Sequence, residues 1–228
     1  MKSLKYIAFI LTLCLLTGCG NEPLTKALPE IAAYCGTNDI QIGMASEVSG
    51  KESINAYTLE IGGIKAIKEG YPPALVSSQC AKLLYDGLSD KQREDKNTIR
   101  ITIKSDAKSE TTDYKMEDLK RVDAFVKKGE DVVKLIKKGD YDAMYTLADT
   151  NYIKKDVFNT IVRDIFEKQR TILSKTNKIQ QDGFEFVEVS GIHVVNVFSH
   201  TPIDTLSVRY KLTFTDEKKP KMAGFIIK

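Results

Sequence analysis

Tryptophan is absent from this 228-residue chain, and histidine occurs only at His193 and His200. Two histidines seven positions apart, with no cysteine or acidic cluster at ligand spacing, exclude the usual zinc arrangements, so no metal site is expected. There is no Gly-x-Ser-x-Gly turn to raise a hydrolase nucleophile and no glycine-rich loop to cradle a phosphate. An excess of one charge is also missing. The 34 Lys and Arg face 31 Asp and Glu, and two of the three surplus cations are Lys2 and Lys5 at the extreme amino end. No global basic field points to nucleic acid. The one long apolar run, Tyr6 to Leu16, has about eleven residues where a membrane-spanning helix needs about twenty. No repeat of fixed period is present. What remains, 42% hydrophobic and 29% charged, is a globular composition long enough for one substantial core or two small ones.

The first twenty residues have an order of their own: basic Lys2 and Lys5, the apolar run, then small Thr17 and Gly18 before Cys19. That order is a secretory leader. Leu16-Thr17-Gly18-Cys19 resembles the lipobox of bacterial lipoproteins, in which a leucine and two small residues precede an obligatory cysteine. The resemblance implies cleavage between Gly18 and Cys19, a diacylglyceryl thioether on the Cys19 sulfur and an acylated new amino terminus. Several acyl chains hold a membrane far better than the weak, reversible grip of one. In such proteins an aspartate behind the cysteine retains the chain at the inner membrane. Gly20 stands there instead, which implies the outer membrane with the body facing the periplasm, or the outer face of the plasma membrane in a single-membrane cell.

Cys14 would leave with the leader and Cys19 would carry lipid, so Cys35 and Cys80 remain as an even pair in an oxidising compartment. A disulfide between them is expected, with two separate buried thiols as the alternative. They lie 45 residues apart, and closing that loop stabilises a fold by about 4 kcal/mol in the chain-entropy model. Neither cysteine has the Cys-x-x-Cys spacing of a redox catalyst.

Periodicity divides the rest. Residues 19–34, with Pro23 and Pro29, read as the acylated cysteine and a tether. In 35–112, Ile40, Ile42 and Met44 alternate as a strand, and residues 53–68 fit strand or helix. A helix starts at Pro72-Pro73, and polar 91–97 separates it from Thr98 to Ile103, which alternates again. This predicts a small α/β unit. Residues 105–113, polar and charged, are the best candidate boundary, or a hairpin loop. In 113–228, Leu119, Val122, Val126, Val133 and Ile136 mark a helix stopped at Gly139. Asp140 caps a short helix, and a third carries Phe158, Ile161, Ile165 and Ile172 on its expected buried stripe. A strand run from Phe184 to Phe198 is broken at Gly191, and beyond it lie alternating Leu206 to Phe214 and a last strand from Lys221. Helices then strands predict α+β, with helices on one face of an antiparallel sheet.

Lys138-Gly139-Asp140-Tyr141-Asp142-Ala143 and this helix-to-sheet order resemble the nuclear transport factor 2-like, or cystatin-like, cone. The resemblance covers about Leu119 to Lys228 and implies a curved sheet wrapped about a concavity, which Phe184, Phe186, Tyr210, Phe214 and Phe225 would line as a possible pocket. No carboxylate or histidine aligns with a catalytic motif, so no catalytic residue and no cofactor are assigned. Asp140, Asp142 and Asp149 read as caps and solvated positions. The overall expectation is a membrane-anchored envelope lipoprotein acting as a non-catalytic binding module for an envelope protein or peptide. An enzyme or ligand carrier using the cone interior, and a structural accessory of an envelope assembly, stay open.

Overall fold

The computed structural model describes residue 24 and residues 26–227, apart from 50–51, 69, 106–107, 177 and 204–205. The leader, with Cys14, Gly18 and Cys19, lies outside the described residues. No helix among the described residues is long and apolar enough to cross a membrane.

The architecture is α+β, with two four-stranded sheets and helices against both. The tether is shorter than expected. Pro29 falls in the first turn of helix α1 (Leu28–Cys35), where its missing N–H costs nothing, and Gly36 ends the helix at φ 65°. Leu24, Ala27, Ile31 and Cys35 are already core residues. The first sheet has β1 (Ile40–Ser49) antiparallel to β2 (Glu52–Ile61). Residues 53–61 are therefore strand, settled by the alternate burial of Tyr57, Leu59 and Ile61. A crossover through α2 (Lys65–Lys68), α3 (Pro73–Gly87) and α4 (Asp90–Asp95) leads to β3 (Thr98–Lys104), parallel to β2. β4 (Ser109–Lys115) then returns antiparallel to β3. The boundary placed at 112/113 thus falls inside a hydrogen-bonded strand, and the Ser105 N–H donates to the Lys108 carbonyl at 2.9 Å where β3 and β4 meet. Val76, Cys80, Ala81 and Leu84 of α3 pack with Leu59, Ile61, Ile99 and Ile101 in one core.

The second half opens with α5 (Met116–Lys138), whose acidic first turn and basic last turn suit the helix dipole, and whose stop is Gly139 at φ 71°. α6 (Tyr141–Thr146) is capped by the Asp140 carboxylate, which accepts a hydrogen bond from the Ala143 N–H at 3.1 Å. Next come α7 (Lys155–Val157), a π-helical turn (Phe158–Val162) and α8 (Arg163–Leu173). Four antiparallel strands complete the chain in sequential order: β5 (Gln180–Val189), β6 (Ile192–Ile203), β7 (Leu206–Thr215) and β8 (Met222–Ile227). The break expected at Gly191 is a two-residue hairpin turn, with Ser190 at φ 53° and Gly191 at φ 78°, a twist that suits antiparallel partners. The segment after α6 adds a short parallel bridge to β8, between Ala148 and Met222.

The third helix buries Phe158 as expected, but not the three isoleucines expected with it. Phe158, Val162, Phe166 and Leu173 face the core, whereas Ile161 and Ile172 are exposed and Ile165 is half-buried. Two apolar stripes run side by side here, and the aromatic one fills the space over the sheet.

Helices and strands meet in two core clusters, and α5 serves both. Met116, Leu119 and Val122 belong to the first; Phe125, Val132, Val133 and Ile136 belong to the second. A second join is a β-bulge. Between Gln181 and Gly183 the β5–β6 register slips, leaving Asp182 as the extra residue. Gly183, at φ 137°, lies directly under α3: a Cβ there would stand 2.5 Å from Ser78 Oγ and 2.6 Å from the Leu75 carbonyl. The Ser78 hydroxyl accepts the Phe184 N–H at 3.0 Å and donates to the Leu75 carbonyl at 2.9 Å. A helix of the first half is thereby bonded to a strand of the second.

Candidate functional site

The bulge aims Phe184 and Phe186 back toward β4, and there the two halves leave a cleft of about 330 Å³. Its walls are residues 113–115 of β4, Asp118 and Leu119 of α5, Ala74 of α3, and residues 184–186 of β5. β4 and β5 are each the edge strand of their own sheet, so the cleft runs between two sheet edges. Three aromatic rings step across it. Tyr114 meets Phe184 edge-on with centroids 6.0 Å apart, and Phe184 meets Phe186 likewise at 5.8 Å. Tyr114 is anchored by its hydroxyl, which donates to Ser77 Oγ at 3.0 Å, and burial pushes its pKa up. Phe184 is buried, but Phe186 is 38% exposed and is the ring a partner can reach.

Arg121 stands beside Phe186. Its guanidinium lies 5.6 Å from the Phe186 ring centre and is paired with Asp216 and, at 3.1 Å, with Asp118. The hydrogen bond to Asp216 raises its pKa further, so it stays charged throughout. On its other side lies a second cleft of about 400 Å³, lined by Arg121, Phe125 and residues 216–218 and 220. The rim carboxylates are engaged. Asp113 takes two hydrogen bonds from Arg100, at 2.7 and 2.9 Å, and Glu185 accepts from Asn196 at 2.7 Å. An apolar floor with charges held at fixed places is suited to contact and orientation.

Of the five aromatics expected to line a pocket, Phe184 and Phe186 come to this cleft. Tyr210, Phe214 and Phe225 share their sheet face but line neither cleft, because helices fill the space above them. Phe214 packs against Phe125 at 6.4 Å, Phe225 against Phe166 at 4.5 Å, and the Tyr210 hydroxyl bonds Thr201 at 3.0 Å. At these positions the protein's own side chains take the space where a pocket was expected. Tyr114 and Arg121 were missed, since nothing local in the sequence tells that residues some seventy positions apart converge.

Cys35 and Cys80 are fully buried, with sulfurs 3.4 Å apart as two thiols in contact. The hydrogen bond it shares with Cys35, then burial, pushes the Cys80 pKa well up. Beside them the Tyr34 hydroxyl donates to the Asp182 carbonyl at 2.9 Å. His200 is half-buried with Nδ1 at 2.8 Å from the carboxylate of buried Asp182, whereas His193 is exposed. Asp149 accepts the Asn151 N–H at 2.8 Å. No cluster of three or more possible metal ligands occurs among the described residues.

No family model, curated protein or solved structure matches this chain. The functional reading rests on its own residues.

Proposed function

We propose that this chain is a lipid-anchored protein of the bacterial envelope whose body is a binding module. The observation that carries the anchor is Leu16-Thr17-Gly18-Cys19 at the end of a short apolar run with a basic start. Acyl chains on Cys19 hold the mature chain to a membrane, the outer one where the cell has two, with the body facing the periplasm. Cys35 and Cys80 close a disulfide there, for which the sulfurs need to approach by roughly 1.3 Å. The order α5, α6, α7–α8 and then a four-stranded antiparallel sheet supports a nuclear transport factor 2-like arrangement for the second half. Its aromatic cleft, with Phe186 exposed between two sheet edges, is the surface an envelope protein or peptide would meet. Anchoring raises the effective concentration of such a partner, so a weak contact suffices.

The test compares the full-length chain with Cys19→Ala in a bacterium, reading the mass of the mature amino terminus and membrane fractionation. An acylated Cys19 terminus on the parent, with acylation and membrane fractionation lost in the variant, is the expected result. An unacylated parent, or a variant that still fractionates with membranes, refutes the anchor.

A further inference from the structure

We propose that the body rests on the membrane with one particular end: the start of α1, the end of α3 and the adjoining α4. This rests on the acylation of Cys19 argued above. From Cys19 to Leu24 there are five residues, which reach at most about 18 Å when fully extended. Leu24 is buried, as is Ala27, so the chain enters the core with little slack left. The body is larger than that reach, since α5 alone, with 23 residues, is about 35 Å long. A body tied so closely cannot present its faces to the bilayer at random.

The end that is tied can be named. Ala27 lies against Gly87 so closely that a Cβ on Gly87 would fall 2.8 Å from the Ala27 Cβ. Eight residues on, Cys35 touches Cys80 in the middle of α3. α1 therefore runs antiparallel to α3, and the Gly87 end of α3 is the end nearest Cys19. α4 is fastened to that same end, with Arg93 donating to the Tyr85 and Asp86 carbonyls at 3.2 and 3.3 Å. Lys26, Glu30, Asp90, Lys91 and Glu94 are exposed there. None of the exposed large apolar residues belongs to α1, α3 or α4. The partner this surface fits is the polar headgroup layer, a contact without insertion. At its other end α3 reaches the aromatic cleft through Ala74, about 20 Å along the helix axis from Gly87. The cleft accordingly stands a helix length away from the end that meets lipid.

The experiment uses the full acylated chain in phosphatidylethanolamine and phosphatidylglycerol vesicles containing a headgroup-nitroxide lipid. A fluorophore is placed on Lys91→Cys or, at the cleft, on Lys115→Cys. Quenching of the Lys91→Cys label by about twofold or more is expected, with the Lys115→Cys label nearly unaffected, given the reach of five residues. Inserting about twenty Gly and Ser residues after Gly20 adds a flexible span of about 25 Å and is expected to abolish that quenching while vesicle flotation persists. Equal quenching at both sites, or quenching indifferent to the insertion, overturns the orientation and leaves the anchor standing. A chain that does not float with vesicles and whose Cys19 terminus carries no acyl mass overturns the anchor, and the orientation with it.

Discussion

Gly183 is where the first half of the chain presses on the second, and its backbone angle and crowding make a sharp prediction. Any side chain would meet Ser78 Oγ and the Leu75 carbonyl, of which the second is backbone and cannot rotate away. Gly183→Ala is expected to cost about 2 to 4 kcal/mol. A urea titration checks this, and an unchanged midpoint would mean that α3 does not bear on β5. Tyr210 sets a second expectation. Burial raises its pKa from 10.0 to about 12. The folded state thus holds the phenolic proton more tightly than the unfolded chain, so this contribution is fully present below pH 10 and is lost as pH rises from 10 to 12. Tyr210→Phe should flatten the fall in stability across that window, and an equal fall in the variant would assign the slope to other groups. For Cys35 and Cys80, complete burial keeps both sulfurs from a reagent in the folded chain, whether reduced or oxidised. The informative assay alkylates the chain unfolded. Protein recovered from an oxidising compartment should resist iodoacetamide in denaturant until it is reduced, and alkylation of both cysteines without reduction would refute the disulfide.

The helix pair α7–α8 shows how far periodicity reaches at the scale of an element. The helix itself was legible from its 3.6-residue spacing, but Ile161, Ile165 and Ile172 compete with Phe158, Val162, Phe166 and Leu173 at nearly the same phase. The larger aromatic side chains take the core, where each excludes more apolar area from water. Phe166→Ala is expected to destabilise by about 3 to 5 kcal/mol and Ile161→Ala by less than about 0.5 kcal/mol. Equal effects would mean that both stripes are buried. Strands with strict alternation, such as β3 and β7, were legible because only one phase puts isoleucine, valine and leucine inside. β4 was not, since Ser109 to Lys115 is polar at an exposed edge, held by its ladder to β3 and by Tyr114. The cleft was legible only in Phe184 and Phe186, because bringing them to its other wall depends on a one-residue bulge in β5 that no hydropathy pattern records.

Whether residues 113–228 form a domain of their own is a question about the whole molecule, and the two cores answer it through α5. Cutting the chain at 112/113 would break β4 in mid-strand and strip α3 from β5. It would also expose Met116, Leu119, Val122 and Phe184, all buried against the first half. Fully exposing four such side chains forfeits about 1.5 to 3 kcal/mol each, a total comparable to the whole net stability of an ordinary domain. The fragment 113–228 is therefore expected to lack a cooperative urea transition. The full body should unfold in a single step, with near-ultraviolet signals from Tyr57 in the first core and Tyr210 in the second changing at one midpoint. Two separated midpoints, together with a cooperatively folded fragment, would restore the division into independent units. In that case the aromatic cleft would lie between bodies free to move, and a partner bound there would have to hold them together. One shared midpoint instead makes the cleft part of a rigid surface, already formed before any partner arrives.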